Sequence, residues 1–480
     1  MKGTFVILSS FVALHLVSSP SAFAQHPTGK PAFRLVTLDP GHFHAALVQK
    51  NMYPAVSPVV QVYAPADRGD GPSDLQLHLG RIQAYNKRPE TPTQWQQKVY
   101  TGPDYFEKML TDGQAAGAAT NGKLGTVVVL SGNNRKKTEY IQKSVEAGFN
   151  VLADKPMVID AQDFDALKDA FSLAAKKNVL LYDIMTERSE ITTMLQRELS
   201  RMPSVFGTLE KGTPDNPAVT KESVHHFYKY VSGSVLQRPA WFMDVAQQGE
   251  GIVDVTTHLV DLVQWACFPD QVLDYKKDIR LTTARRWTTD MTRSQFRTIT
   301  NLPAFPDYLK KDVVNDSILR IYSNGEINYQ LRGVHAKVSV IWAFNAPEGA
   351  GDTHYSIMRG TKANLIIRQG ADQQYKPTLY IEPIANNAAY GAALTTALKT
   401  IQRAFSGVEV KKLTTGWEVV IPEKYKEGHE AHFGRVTENY LAYLKAGKLP
   451  DWEVPNMIAK YYTTTQALDL AKQTQNGRGK

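Results

Sequence analysis

A lysine is set up for proton chemistry where the short apolar run Asn150-Val151-Leu152-Ala153 ends in Asp154-Lys155-Pro156. The run has the composition of a buried strand, and in an open α/β sheet ligands gather at the carboxyl ends of the strands. A lysine there can give or take a proton when its surroundings lower its pKa. Pro156 fixes φ, carries no N–H and biases Lys155 towards extended backbone, so the ammonium is aimed. A lone lysine-proline pair is ordinarily a surface feature of a strand-to-helix turn. The segment Gly251-Ile252-Val253-Asp254-Val255-Thr256-Thr257-His258 changes that reading. Asp254 and His258 stand four positions apart, on one face of a helix, so both can reach one substrate. Taken alone, a histidine on so apolar a helix is as readily a core residue.

The elements that must position these groups fall into two sets. Strand-like runs at Phe33–Leu38, Val59–Tyr63, Gly125–Leu130, Asn150–Ala153 and Val179–Tyr182 alternate with helical segments. Those segments are Ala45–Lys50, Asp104–Leu110, Lys137–Ala147 and Gln162–Lys177. The alternation predicts a parallel, doubly wound α/β sheet of Rossmann type over residues 25–188. Residues 64–101 break the rhythm and read as an insertion in which Leu75–Leu79 packs. Beyond Glu190 longer alternating runs appear at Asp316–Tyr322, Glu326–Leu331, Lys337–Trp342 and Asn364–Arg368. Ser323-Asn324-Gly325 reads as a tight turn between the first two. This half, residues 189–480, is expected to be an α+β domain with a large, mainly antiparallel sheet. Amphipathic helices at His432–Leu444 and Pro455–Lys472 close it, before a polar tail.

With 480 residues, 42% hydrophobic and 21% charged, the chain has the balance of an ordinary globular protein of two to three domains. Residues 1–24 have the basic, apolar and small-residue parts of a secretory signal cleaved after Ala24, so export is expected, to the periplasm in a Gram-negative cell. The apolar stretch is short and interrupted for a membrane span. The formal charge of +8, +7 once Lys2 is removed, comes from scattered lysines and arginines without a basic stripe. Solubility fits that distribution, and nucleic-acid binding does not. The single Cys267 excludes an internal disulfide and reads as a small buried hydrophobe.

Asp154-Lys155-Pro156 followed by Gly249, Gly251, Asp254 and His258 resembles the Gfo/Idh/MocA family of NAD(P)-dependent sugar and cyclitol oxidoreductases, over most of the mature length. Asp stands for Glu in that family's glutamate-lysine-proline motif. The resemblance implies that Lys155 polarises the reacting hydroxyl or carbonyl, that His258 moves the hydroxyl proton, and that Asp254 orients substrate or histidine. Imidazole titrates near neutrality and suits the work. It also implies a bound NAD or NADP, NAD preferred, contacted by Asp39, Gly41, His42, Phe43, His44, Asn133, Asn134, Asp154, Lys155 and Pro156. Here the sequence departs from the pattern. Of the family's Gly-x-Gly-x-x-Gly only Gly41 is kept, with Asp39 and His44 at the other glycine positions, and an anionic Asp39 beside a pyrophosphate calls for a compensating cation. Asp67 is near the place of the acidic ribose contact. Asp183, Glu187, Arg188, His225, His226, Lys229, Arg238 and Trp241 are candidate substrate contacts, Glu187 and Arg188 being equally a structural ion pair. His42-x-His44, with His225-His226, invites a metal reading. No carboxylate or further histidine lies at a telling spacing, so no metal is expected.

The leading expectation is an exported oxidoreductase acting on a ring hydroxyl or carbonyl of a sugar or glycoside. Outside the cytoplasm no free nicotinamide pool exists, so the cofactor is expected to be tightly held. Two alternatives stand beside it: a glycoside hydrolase working by transient NAD-dependent oxidation, and a non-catalytic carbohydrate-binding protein with a decayed cofactor site. By analogy with relatives, the open sheet face implies a homo-oligomer.

Overall fold

The computed structural model describes residues 31–66, 73–119, 124–231 and 234–478. The expected leader at 1–24 and Asp67 lie outside the described residues. The first half is a six-stranded parallel sheet of β1 (Phe33–Leu38), β2 (Val59–Ala64), β3 (Gln96–Thr101), β4 (Gly125–Leu130), β5 (Asn150–Asp154) and β6 (Leu181–Ile184). Its order is β3-β2-β1-β4-β5-β6. The connecting helices are α1 (His44–Leu47), α2 (Asp74–Lys87), α3 (Tyr105–Ala119), α4 (Lys137–Glu146) and α5 (Phe164–Lys177). In β1, β4 and β5 every residue after the first is buried, as strands covered on both faces must be. Leu38 pairs with Leu130 and Leu130 with Ala153, so the turns after β1, β4 and β5 open at one level. The strand order reverses beside β1, and there the crevice of such a sheet lies.

Two expectations for this half are corrected. The insertion at 64–101 contains α2 and a sixth strand, β3, at the sheet's edge. None of its six residues is buried, so it offers no apolar run to read. In α2 the buried residues are His78 and Ile82, and the expected packing of Leu75–Leu79 is met by Leu75, half-buried against the core. α1 is also shorter than the predicted Ala45–Lys50 segment.

After β6 come α6 (Ile191–Ser200), α7 (Val245–Gln248) and α8 (Thr256–Cys267), packed on a ten-stranded, mainly antiparallel sheet. The strand Val219–Tyr228 is its middle; it pairs parallel with Val334–Asn345 and antiparallel with Thr353–Arg359. The expected hairpin at Ser323-Asn324-Gly325 is not there, because one strand runs unbroken from Ile318 to Leu331. Those residues serve a close approach instead. A Cβ on Gly325 would sit 2.6 Å from Ile252 Cβ, and one on Gly251 would overlap the Ser323 carbonyl. Asn324 donates its amide to the Trp287 carbonyl and accepts from the Trp342 N–H, tying three strands at that point.

The helices His429–Ala446 and Glu453–Arg478 close the chain. Phe433, Val436, Tyr440, Met457 and Tyr461 join the core built on β1, β4 and β5. The Tyr440 hydroxyl donates to the Val151 and Leu180 carbonyls at 3.0 and 2.8 Å. Among the described residues no helix is long and apolar enough to cross a membrane.

Candidate active site

Lys155 leaves the end of β5 and meets Asp254 in the turn that leads into α8, with Nζ 2.5 Å from Oδ1. Both side chains are largely buried, so the contact is a desolvated ion pair between the two halves of the chain. The Lys155–Pro156 peptide bond is cis. The other Asp254 oxygen accepts from the Gln248 amide at 3.1 Å, which fixes the carboxylate on two sides. Gly249 lies just before, at φ +93°, a conformation side chains rarely adopt, with its α-carbon against Ile159 and Val253. These glycines let the turn press close enough for Asp254 to reach Lys155.

His258 sits in the first turn of α8, its pKa pushed down to about 3 by burial and by the charge of Lys155. It is therefore a neutral imidazole at neutral pH, with one ring nitrogen able to accept a hydrogen bond. Its Nδ1 is buried without a hydrogen-bond partner, a state native structures rarely leave unexplained. Lys155, Asp254 and His258 share a cavity of about 370 Å³ with His42, Phe43, His44, Glu187, His225, Lys229 and Arg238. The sequence reading named all ten of these residues.

Others lie elsewhere. Arg188 was expected to face the substrate or to pair with Glu187, and it does neither. Its guanidinium donates to both oxygens of Asp261 at 2.6 Å and to Glu453 at 2.8 and 3.1 Å. Asp183 is sealed against Lys460, at 2.7 Å, and the Tyr461 hydroxyl. Glu187 pairs with His429 instead, at 3.4 Å. His226 lies behind His225, and both reach Asp352 at 3.1 Å together with Lys229 at 2.7 Å. Arg238 turns inward to the Phe227 and His226 carbonyls. Asp352, His354, His429, His432 and Trp342 line the cavity without having been anticipated. The helix spacing of His429 and His432 was the one signal available in the sequence.

The turn Asp39–His44 tests the expected dinucleotide. The reacting end fits: Lys155, Asp254 and His258 surround open space. The phosphate cradle does not. A Cβ on Gly41 would lie 2.8 Å from the Trp241 ring and 3.0 Å from an Asp74 oxygen. The His42 N–H donates to the Ser131 carbonyl, and Asp39 is buried, at φ +47°, accepting from the Tyr140 hydroxyl. Trp241 is almost fully buried and donates to Asp74 at 2.9 Å, so it fills the groove instead of touching substrate. Asn133 and Asn134 are likewise tied to Gln247 and Gln248 of the second half. Where backbone amides should face a pyrophosphate, this structure sets an indole and two carboxylates.

No metal is expected from the spacing, yet folding brings a carboxylate to the two histidines. His42, His44 and Asp154 offer ligand atoms all within 4.8 Å of one another. Sequence spacing hid this because Asp154 reaches the two histidines from the end of another strand.

A family model described as "Putative oxidoreductase C terminal domain" matches residues 195–472. A crystal structure of a "putative oxidoreductase" from Parabacteroides merdae is 56% identical, with a TM-score of 0.87 over 92% of this chain and 98% of that one. Levoglucosan dehydrogenase in complex with NADH and levoglucosan has the same fold at 10% identity, with a TM-score of 0.57 over 92% of this chain and 98% of that one. An oxidoreductase domain protein from Kribbella flavida does so at 13% and 0.59, over 93% and 98%. No curated protein matches.

Proposed function

This chain belongs to the Gfo/Idh/MocA-type oxidoreductases, and we propose that it interconverts a ring hydroxyl and carbonyl of a sugar or glycoside with a nicotinamide dinucleotide as hydride partner. One observation carries the reading. A cavity-facing lysine is held by a carboxylate beside a neutral histidine whose buried Nδ1 has no partner. In the oxidising direction His258 takes the proton of the substrate hydroxyl. Lys155 donates a hydrogen bond to the same oxygen and steadies its charge as the C–O bond gains double-bond character. Asp254, braced by Gln248, keeps the lysine on that oxygen. When bound, the nicotinamide supplies the hydride acceptor. The histidine, glutamate and arginine donors and acceptors around the cavity suit a polyhydroxylated ligand.

NADH and levoglucosan in the complexes of the like-folded dehydrogenase support the cofactor and substrate class. The crowded turn at Gly41 requires that Trp241 yield before a pyrophosphate can lie there. The leader-like residues 1–24 support export and hence a tightly held cofactor, and a homo-oligomer rests on analogy with relatives. The test is to denature the purified protein and assay released NAD(H) and NADP(H), then to titrate both into the refolded or apo protein. Release or saturable binding is expected. No nucleotide released and none bound would sink the proposal and leave a carbohydrate-binding protein. With cofactor present, a keto-sugar as product supports net oxidation, and a cleaved glycoside would replace it by hydrolysis through transient oxidation.

A further inference from the structure

The turn after β1 has lost what a phosphate needs and gained something else. His44 stands where the family resemblance calls for glycine, and Asp154 stands where it calls for glutamate. These two departures, far apart in sequence, meet: His44 Nδ1 is 2.8 Å from Asp154 Oδ2, and His42 Nδ1 is 3.6 Å from the same oxygen. We propose that His42, His44 and Asp154 bind a divalent first-row cation of the zinc type, with an open coordination position turned towards the cavity of Lys155 and His258.

The geometry is close to what such an ion requires. Ligand atoms around a tetrahedral zinc with bonds of about 2.1 Å lie roughly 3.4 Å apart; here the three lie within 4.8 Å of one another, and the 2.8 Å His44–Asp154 contact, a hydrogen bond without the ion, must widen to admit it. Two imidazoles and one carboxylate form a three-ligand set of the kind that leaves a position for water or substrate. Both histidines line the cavity, so that position faces it.

The supporting shell is also present. Ser131 Oγ donates to Asp154 Oδ2 at 2.9 Å, holding the carboxylate in place, and Lys137 Nζ donates to the Asp154 backbone carbonyl at 3.0 Å, tying the strand end. Phe433 packs on the His44 ring, 4.5 Å between centroids. Lys155 is the cation next in sequence, and its charge is met by Asp254 at 2.5 Å.

The measurement is Zn²⁺ titration by calorimetry on chelator-stripped full-length protein, paired with the visible spectrum after adding Co²⁺. One equivalent of Zn²⁺ and the intense bands of four-coordinate cobalt are expected. His42→Gln, His44→Gln and Asp154→Asn should each lose most of the affinity, while His335→Gln, distant from the cavity, should retain it. Circular dichroism on the metal-free variants shows that they are folded. If a buried variant fails to fold, the wild-type titration and the more accessible His42→Gln still decide. Wild-type protein without stoichiometric uptake, or His42→Gln binding as wild type does, overturns the site. Neither outcome depends on nucleotide release, so it stands or falls apart from the proposed oxidoreductase activity.

Discussion

Two buried ionic clusters join the halves of this molecule. In one, Lys155 of β5 meets Asp254 ahead of α8. In the other, α8 supplies Asp261, which is gripped by Arg188 and Lys460, while Glu453 and Asp183 complete the set. The clusters differ in their access to open space. Arg188 spends its guanidinium on Asp261 and Glu453, and Lys460, fully buried, on Asp183 and the same Asp261. Those charges hold Asp261 below the usual carboxylate range and Arg188 above its ordinary value. Beside the Lys155–Asp254 pair, by contrast, lies open volume, and His258 keeps a partnerless nitrogen. A buried network away from open space orders a structure; one beside a cavity can meet a ligand. Charge at the end of a strand marks both, and only the partners tell them apart.

The largest effect should come from the open cluster. Lys155→Ala and His258→Ala should each lower turnover by about 10²–10⁴-fold, the usual worth of positioned acid–base groups. The thermal midpoint should stay near wild type in His258→Ala and fall in Lys155→Ala, which leaves Asp254 buried without its cation. Turnover close to wild type in either variant would break the comparison on its functional side.

Lys460→Met does the reverse. It leaves Asp183 and Asp261 buried without their shared cation, and unfolding free energy should fall by about 3–5 kcal/mol in urea titrations. Turnover per folded molecule should persist. A variant of full stability and lost activity would show that the sealed cluster belongs to the reaction.

Asp74→Asn probes the crowded turn between them. It removes a negative charge 3.0 Å from where a Cβ of residue 41 would stand, yet keeps an acceptor for the Trp241 N–H. Nucleotide affinity should rise by about tenfold, equivalent to 1.4 kcal/mol. Unchanged affinity by fluorescence titration would place the pyrophosphate elsewhere.

How much of this was legible follows the same division. The strands β1, β4 and β5 could be read because parallel strands covered on both faces are continuously apolar, and the Lys155, Asp254 and His258 set because residue type and helical spacing converge. β3 could not, since an exposed edge strand carries no such run. Ser323-Asn324-Gly325 misled because its glycine answers to Ile252 across a packed interface, not to a turn. Arg188 and Asp183 misled because their partners, Asp261, Glu453 and Lys460, arrive from distant segments. Asp154 completed a ligand set with His42 and His44 for the same reason. Position at a strand end is local information, and partners that arrive from distant segments are not.

The smallest effect separates the clusters by pH. His258 is held at about 3 in the folded protein, against roughly 6.5 in an unfolded chain. Below pH 6.5 the unfolded chain takes up a proton that the folded one refuses. Its contribution is therefore whole above that pH and is lost as pH falls towards 3, at about 1.4 kcal/mol per pH unit. Asp261, with its pKa lowered on folding, contributes above roughly pH 3.9 and loses that only in stronger acid. Urea titrations between pH 7 and 5 should accordingly show a stability slope shallower by one proton in His258→Gln than in wild type. The slope should be unchanged in Asp261→Asn, whatever its absolute loss. Equal slopes in wild type and His258→Gln would mean that His258 is already protonated in the folded state, and the base assigned to the open cluster would have to be another of the cavity's histidines.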